Sequence, residues 1–124
     1  MKILLVDDDF SSIVALTNLL ERDHSLVIAS NGADALDIFR GNDFDLVITD
    51  IKMPKLNGIE LLRAIRNTGK KSHVIMVTGY PRHEHLKDAE NLRTYAIFSK
   101  PLNVNNFMES ITNIEIERAS SGER

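Results

Sequence analysis

Short runs of branched apolar residues alternate along this chain with stretches in which apolar residues recur at every third or fourth position. Runs such as residues 3–6 and 46–48 have the composition of buried strands. The intervening stretches have the spacing of amphipathic helices. This repeated alternation predicts βα units, and hence a parallel sheet.

The alternation predicts five strands and five helices. The strands are expected at residues 2–6, 26–29, 46–49, 74–77 and 96–99. The expected caps of the first three helices are Ser11 or Ser12, Asn31 and Asn57. The fourth helix, around residues 86–92, is expected to be shorter and more polar, and the fifth to begin near residue 104. The polar segment from residue 115 onward is expected to fray.

Composition limits the classes of protein that this chain can belong to. With 124 residues it has the length of one domain, expected over residues 1–118, and residues 119–124 have the composition of a polar tail or the start of a linker. The net charge of -3 argues against non-specific nucleic-acid binding, and the absence of cysteine excludes a disulfide scaffold and a thiolate metal site. No apolar run approaches the ~20 residues of a membrane span, so a cytoplasmic protein is expected.

Polar and charged residues follow four of the five predicted strands. Asp7, Asp8 and Asp9 follow the first, Asp50 the third, Thr78 the fourth and Lys100 the fifth. Ligands of open parallel sheets bind beyond the carboxyl ends of the strands, so these residues mark the candidate site. For Asp9, a role as turn former or helix cap is the simpler interpretation.

The types of residue at the strand ends favour a particular chemistry. Carboxylates that converge repel one another and require a cation, and an oxygen-only set favours Mg2+ or Mn2+ over zinc. With such a metal in place, Asp50 can attack a phosphorus atom and form an acyl phosphate. Lys100 can pair with a carboxylate and then with a phosphoryl oxygen, and the Thr78 hydroxyl can donate to another oxygen.

The chain closely resembles the receiver domain of bacterial two-component response regulators. The resemblance covers about residues 1–118 and is carried by residues 3–9, residues 45–54 with the following Gly58, residues 77–80 and residues 99–101. It implies a flavodoxin-like, doubly wound five-stranded parallel sheet in the order 2-1-3-4-5, with five helices on both faces.

The resemblance also implies a role for each site residue. Asp50 is the expected phosphoacceptor, contacted through its phosphoryl group by Thr78 and Lys100. Mg2+ is the expected cofactor, held by Asp7, Asp8, Asp50 and the backbone carbonyl of Lys52. The bond between Lys100 and Pro101 is expected to be cis.

The same resemblance implies partners. The phosphoryl donor is expected to be a sensor histidine kinase or a phosphotransfer protein, and a downstream effector domain or protein is expected to receive the signal. The domain is expected to act as a phosphoacceptor that assists its own phosphorylation and dephosphorylation, without membrane or direct nucleic-acid contacts. It is expected to be a monomer or a phosphorylation-dependent dimer.

Two positions depart from the family pattern. Ile97 occupies the position of the aromatic switch residue on the fifth strand, and neither Phe98, on the other face, nor Tyr95 is expected to replace it. Residues 92–94 replace a turn that often contains glycine.

By the same resemblance, Lys52 and Tyr80 are expected to flank the site and tune hydrolysis of the acyl phosphate.

Two other classes of protein share parts of this set of residues. A haloacid-dehalogenase-like phosphatase also uses Asp, Mg2+, Thr and Lys, but this chain lacks its second acidic motif. A pseudo-receiver that binds partners without phosphorylation is the other alternative, and the complete set of site residues argues against it.

The four histidines do not form a predicted metal site. His83 and His85 do not share a helix face, and His24 and His73 are expected at the surface without acidic partners.

Overall fold

The computed structural model describes residues 1–121 and confirms the predicted alternation of strands and helices. The strands are β1 (Lys2–Val6), β2 (Ser25–Ala29), β3 (Leu46–Thr49), β4 (His73–Thr78) and β5 (Ala96–Ser99). The helices are α1 (Phe10–Leu20), α2 (Gly32–Arg40), α3 (Gly58–Asn67), α4 (His83–Asn91) and α5 (Val104–Ser121). Within residues 1–121, no helix is both long and apolar enough to cross a membrane.

The five strands form one parallel sheet in the order β2-β1-β3-β4-β5, as expected. In its register, Val6 aligns with Thr49 and Thr49 with Met76. The residues that follow β1 and β3 therefore leave the sheet side by side, in the middle of its carboxyl edge.

Side chains of successive strand residues alternate between two cores, one on each face of the sheet. Leu4 and Val6 pack with apolar residues of α2, α3 and α4. Ile3 and Leu5 pack with apolar residues of α1 and α5. This doubly wound arrangement buries both faces of the sheet and leaves its edges for polar side chains.

The residue that caps the start of α1 differs from one of the sequence predictions. The prediction of Ser11 or Ser12 as the N-cap of α1 is wrong, whereas the interpretation of Asp9 as a helix cap is confirmed: the Asp9 carboxylate accepts hydrogen bonds from the Ser11 amide and from both serine hydroxyls. Asn31 and Asn57 cap α2 and α3 as predicted.

Helix α5 is also longer than its polar sequence indicates. It continues through Ser121, so the predicted fraying from residue 115 is wrong for residues 115–121. Its last turns are held to the sheet by Arg118, which pairs with Asp45. The boundary at residue 118 stays a prediction, and residues 122–124 lie outside the described part of the chain.

Candidate functional site

Three of the predicted site residues meet at the carboxyl edge of the sheet. The Lys100 ammonium lies 3.0 Å from Oδ2 of Asp7 and 2.8 Å from Oδ2 of Asp50. Asp7 is 3% exposed and Asp50 8% exposed. The sequence predicted that converging carboxylates would need a cation between them, and in this structure Lys100 provides it.

The charges of this trio influence one another. Burial raises the pKa of Asp7, and hydrogen bonds from the Asp9 amide and from Lys100 offset only part of that effect. Burial alone would lower the pKa of Lys100, but its hydrogen bonds to Asp50 and Asp7 prevail and raise it. The lysine is therefore held in its charged form by two carboxylates that share it.

The loop after β3 holds Asp50 in position. Oδ1 of Asp50 accepts hydrogen bonds from the amides of Ile51, at 2.6 Å, and Lys52, at 3.3 Å. The Gly58 amide closes this loop by donating to the Ile51 carbonyl at 2.7 Å. A Cβ at Gly58 would lie 2.1 Å from the Asp50 carbonyl oxygen, so only glycine allows this close approach.

Two neighbouring features fix the far side of the same loop. Asn57 and Glu60 form a reciprocal capping box at the start of α3. Gly32 of α2 packs against the loop so closely that a Cβ there would lie 2.1 Å from the Leu56 carbonyl oxygen. This role of Gly32 is not predictable from the sequence, because it depends on a contact between backbones that forms only in the folded chain.

Thr78 lies at the same edge, as the last residue of β4. It is 1% exposed and its carbonyl accepts a hydrogen bond from the Lys100 amide at 2.8 Å. Its hydroxyl accepts a hydrogen bond from the Tyr80 amide at 3.3 Å, so the hydroxyl proton can still be donated to another oxygen. The bond between Lys100 and Pro101 is cis, as predicted.

The predicted metal ligands are only partly assembled. Asp7 and Asp50 face Lys100, whereas Asp8 is exposed. Among residues 1–121, no group of three or more acidic or histidine side chains is arranged to hold a metal ion. The donors present, two buried carboxylates with an exposed carboxylate beside them, are all oxygen and fit a hard divalent cation.

Lys52 and Tyr80 line one cavity of about 440 Å³ together with Ile51, the residue after Asp50, and Tyr80 is 79% exposed. Their effect on hydrolysis of an acyl phosphate stays a prediction. Ile97 lies further from the edge and packs with the core of α2, α3 and α4. Phe98 faces the opposite core, where its ring lies edge-on to Phe107 at 5.6 Å, so it does not replace an aromatic residue at Ile97.

The prediction that His24 and His73 lack acidic partners is wrong. The side chain of His24 is 3% exposed and lies 3.9 Å from Glu115. His73 lies 3.2 Å from Glu117, and its other ring nitrogen lies 3.0 Å from Arg118. These contacts come from the last turns of α5, whose polar sequence predicts fraying.

Comparisons with known proteins agree with this geometry. The family profile of the response regulator receiver domain matches residues 3–112. Sporulation initiation phosphotransferase F of Bacillus subtilis (strain 168) is 29% identical over 111 residues, covering 89% of this chain and 90% of that protein. Chemotaxis protein CheY-3 of Vibrio cholerae is 34% identical over 119 residues, covering 92% and 91%.

A solved structure gives the same result for the fold. The crystal structure of a CheY-like response regulator receiver domain protein from Methanospirillum hungatei JF-1 is similar, with a TM-score of 0.91 and 30% identity. The similarity covers 97% of each chain. It therefore extends over the whole carboxyl edge, from Asp7 to Lys100.

Proposed function

The chain belongs to the response regulator receiver domains of two-component systems, and we propose that its Asp50 accepts a phosphoryl group from the phosphohistidine of a sensor histidine kinase or a phosphotransfer protein. One observation carries the proposal: the Asp50 and Asp7 carboxylates share the Lys100 ammonium at 2.8 and 3.0 Å. With its excess negative charge offset by a divalent cation, such a trio can receive a group that is anionic and rich in acceptor oxygens.

The transfer is a substitution at phosphorus. A carboxylate oxygen of Asp50 forms a new O–P bond while the P–N bond to the donor imidazole breaks. The electron pair of that bond stays on the imidazole nitrogen, which takes up a proton. The product on this chain is an acyl phosphate on Asp50.

A divalent cation fits the oxygen donors at this edge. Asp7, Asp8, Asp50 and the backbone carbonyl of Lys52 would hold Mg2+, which supplies positive charge to offset the carboxylates and the phosphoryl oxygens. The remaining work falls to Lys100 and Thr78. Lys100 can exchange a carboxylate for a phosphoryl oxygen, and the Thr78 hydroxyl can donate to a second phosphoryl oxygen.

Phosphorylation would then act on the surface that partners contact. The acyl phosphate carries about -1.5 to -2 of charge where the Asp50 carboxylate carried -1, and it adds phosphoryl oxygens that draw Thr78 and its loop toward them. With Ile97 in place of an aromatic residue, the change passes through apolar packing on α4 instead of through a ring rotation. A downstream effector, or a second copy of the domain, would respond to the altered surface.

The proposal is tested by intact mass spectrometry after incubation with acetyl phosphate and Mg2+. The wild-type chain is expected to gain one phosphoryl group, and Asp50→Asn none, because an amide oxygen is a poor nucleophile. Asp23→Asn, which changes an exposed aspartate away from the site, is the matched control and is expected to behave like the wild type.

Phosphoramidate provides a second donor with the P–N bond of phosphohistidine. Equal phosphate incorporation by Asp50→Asn would refute the assignment of the phosphoacceptor. If folded wild-type protein gained no phosphoryl group from either donor, the result would contradict the proposal and favour a phosphorylation-independent interaction module.

A further inference from the structure

A basic groove lies at the amino edge of the sheet, at the opposite end of the strands from Asp50. It has a volume of about 540 Å³ and is lined mainly by Arg66, Lys70, Lys71, His73, Arg93 and Tyr95. No carboxylate side chain lines it among residues 1–121. In a chain with a net charge of -3, this concentration of positive charge is a local feature that composition does not predict.

Two of these cations form the fixed wall of the groove. The Arg66 guanidinium donates hydrogen bonds to the carbonyls of Ser72, Leu92 and Arg93 at 2.8–2.9 Å. Lys70 donates to three carbonyls at the end of α2 and lies 3.7 Å from Asp43. Their hydrogen bonds hold the ends of three helices together, and the Arg66 charge has no carboxylate partner among residues 1–121.

Lys71 and Arg93 are the two exposed cations of the groove. Within the described part of the chain, neither side chain forms an ion pair with a carboxylate. Burial lowers the pKa of Arg66, and the positive charge of Arg93 lowers it further. The two guanidinium groups therefore repel each other, and an anion between them would remove that repulsion.

Arg93 also adopts a backbone conformation that favours glycine. Its φ is +60°, and its amide and that of Thr94 close the end of α4 on the carbonyls of Glu90 and Ala89. At the equivalent position after α3, in the same groove, the residue is Gly69, with a φ of +79°. The chain thus places a cationic side chain where the backbone alone favours glycine.

We propose that this basic groove binds an acidic peptide segment of a partner protein, with Arg93 and Lys71 contacting its carboxylates. The cations come from two separate turns, one after α3 and one after α4, which suits a chain of carboxylates better than a single anion. The groove is an open surface feature, as expected of a site for an extended segment. The neighbouring acidic side chains Asp43, Asp45 and Glu117 pair with Lys70, Arg118 and His73, respectively, and within residues 1–121 none of them forms an ion pair with the two exposed cations.

The test is a fluorescence anisotropy titration of the unphosphorylated full chain with a labelled hexaglutamate peptide. Saturable binding is expected, weakened about two- to fivefold by Arg93→Gly and by Lys71→Gln, each of which removes one exposed charge pair. Lys87→Gln, which changes an exposed lysine of α4 outside the groove, is the matched control and is expected to bind like the wild type. Arg93→Gly places glycine at a positive φ, so the variant is expected to be folded, and thermal denaturation checks that a loss of binding is not a loss of fold.

Several outcomes would overturn the proposal. An absence of saturable hexaglutamate binding would do so, as would an equal loss of binding in all three variants, which indicates general attraction to a basic surface. Tighter binding of a hexathymidine oligonucleotide with the same sensitivity to Arg93→Gly and Lys71→Gln would assign the groove to nucleic acid instead. Because no phosphoryl donor is present, these results do not depend on whether Asp50 accepts a phosphoryl group.

Discussion

The two edges of the sheet each contain a cation that pairs with a distant carboxylate, but their balance of charge differs. At the carboxyl edge, Lys100 is shared by the side chains of Asp7 and Asp50, which are 3% and 10% exposed. At the amino edge, Arg118 pairs with Asp45, whose side chain is 27% exposed. Arg118 also donates to the Lys71 carbonyl, and Asp45 accepts from the Lys2 amide.

This difference in charge balance distinguishes a structural ion pair at the amino edge from an incompletely neutralised cluster at the carboxyl edge. Arg118 and Asp45 satisfy each other and fasten α5 to the sheet. The trio at the carboxyl edge retains one carboxylate more than its cation can neutralise, which is the condition for attracting a further cation. The basic groove has an excess of positive charge, which favours the binding of an anion.

Gly58→Ala is expected to lower the free energy of unfolding more than the other changes, because it breaks the backbone packing on which the carboxyl edge depends. The added methyl group would lie 2.1 Å from the Asp50 carbonyl oxygen and 2.8 Å from the Ile51 Cα, so the loop has to move. We expect a loss of about 2–4 kcal/mol in the free energy of unfolding, measured by urea denaturation. Gly41→Ala, whose new methyl has its nearest neighbours at 3.9 Å, is the control, and equal losses would contradict the argument.

Lys100→Met and Arg118→Met compare the two edges directly. Without Mg2+, Lys100→Met leaves two buried carboxylates facing each other and is expected to lower the free energy of unfolding by about 2–3 kcal/mol. Arg118→Met leaves one carboxylate that water reaches, so a loss of about 1 kcal/mol is expected. Urea denaturation with EDTA and with Mg2+ measures both.

Magnesium sharpens this comparison. It is expected to stabilise the wild type and to recover part of the loss in Lys100→Met, because a cation can replace the missing ammonium. No recovery is expected in Arg118→Met. If Mg2+ had the same effect on both variants, the carboxyl edge would not be the site of its binding.

The ends of α3 and α4 provide a smaller comparison within the basic groove. Arg93→Gly relieves a side chain at a φ of +60° and is expected to raise the free energy of unfolding by about 0.5–1 kcal/mol. Gly69→Ala places a side chain at a φ of +79°, in open space, and is expected to lower it by about 1 kcal/mol. Thermal denaturation of the two variants checks the opposite signs, and a loss of stability in Arg93→Gly would show that its side chain has a structural role.

A rise to alkaline pH is expected to change the free energy of unfolding less than any of the substitutions described above. Because folding raises the pKa of Lys100, its stabilisation is complete below about pH 10.4 and disappears as the pH rises through the higher pKa of the folded state. Asp50→Asn removes one carboxylate partner of Lys100, so the free energy of unfolding should fall less steeply as the pH rises. Burial also raises the pKa of Tyr95, so the measurement is made in a Tyr95→Phe background to isolate Lys100.

The sequence predicted the fold and most of the site because both depend on the ends of strands. Each predicted strand agrees with the structure to within about one residue at either end, and the topology then brings Asp7, Asp50, Thr78 and Lys100 to one edge. These placements follow from local patterns and from general rules for parallel sheets.

The features that the sequence did not predict depend on contacts between distant side chains or backbones. Glu117 and His73 are 44 residues apart, and Arg118 and Asp45 are 73 residues apart. No local pattern links such residues, so α5 was expected to end early and His73 to be without an acidic partner. The N-cap of α1 was misplaced for a simpler reason: Asp9 and the two serines are all good caps, and only the geometry of the turn selects Asp9.

The long sequence separations at the carboxyl edge also affect when the site forms during synthesis. Lys100 is 93 residues from Asp7 and 50 from Asp50, so their contacts require nearly the whole sheet to be folded. A nascent chain that has not yet released β5 from the ribosome contains Asp50 but lacks the ammonium beside it. The contacts of Lys100 with the two carboxylates therefore form only after β5 has joined the sheet.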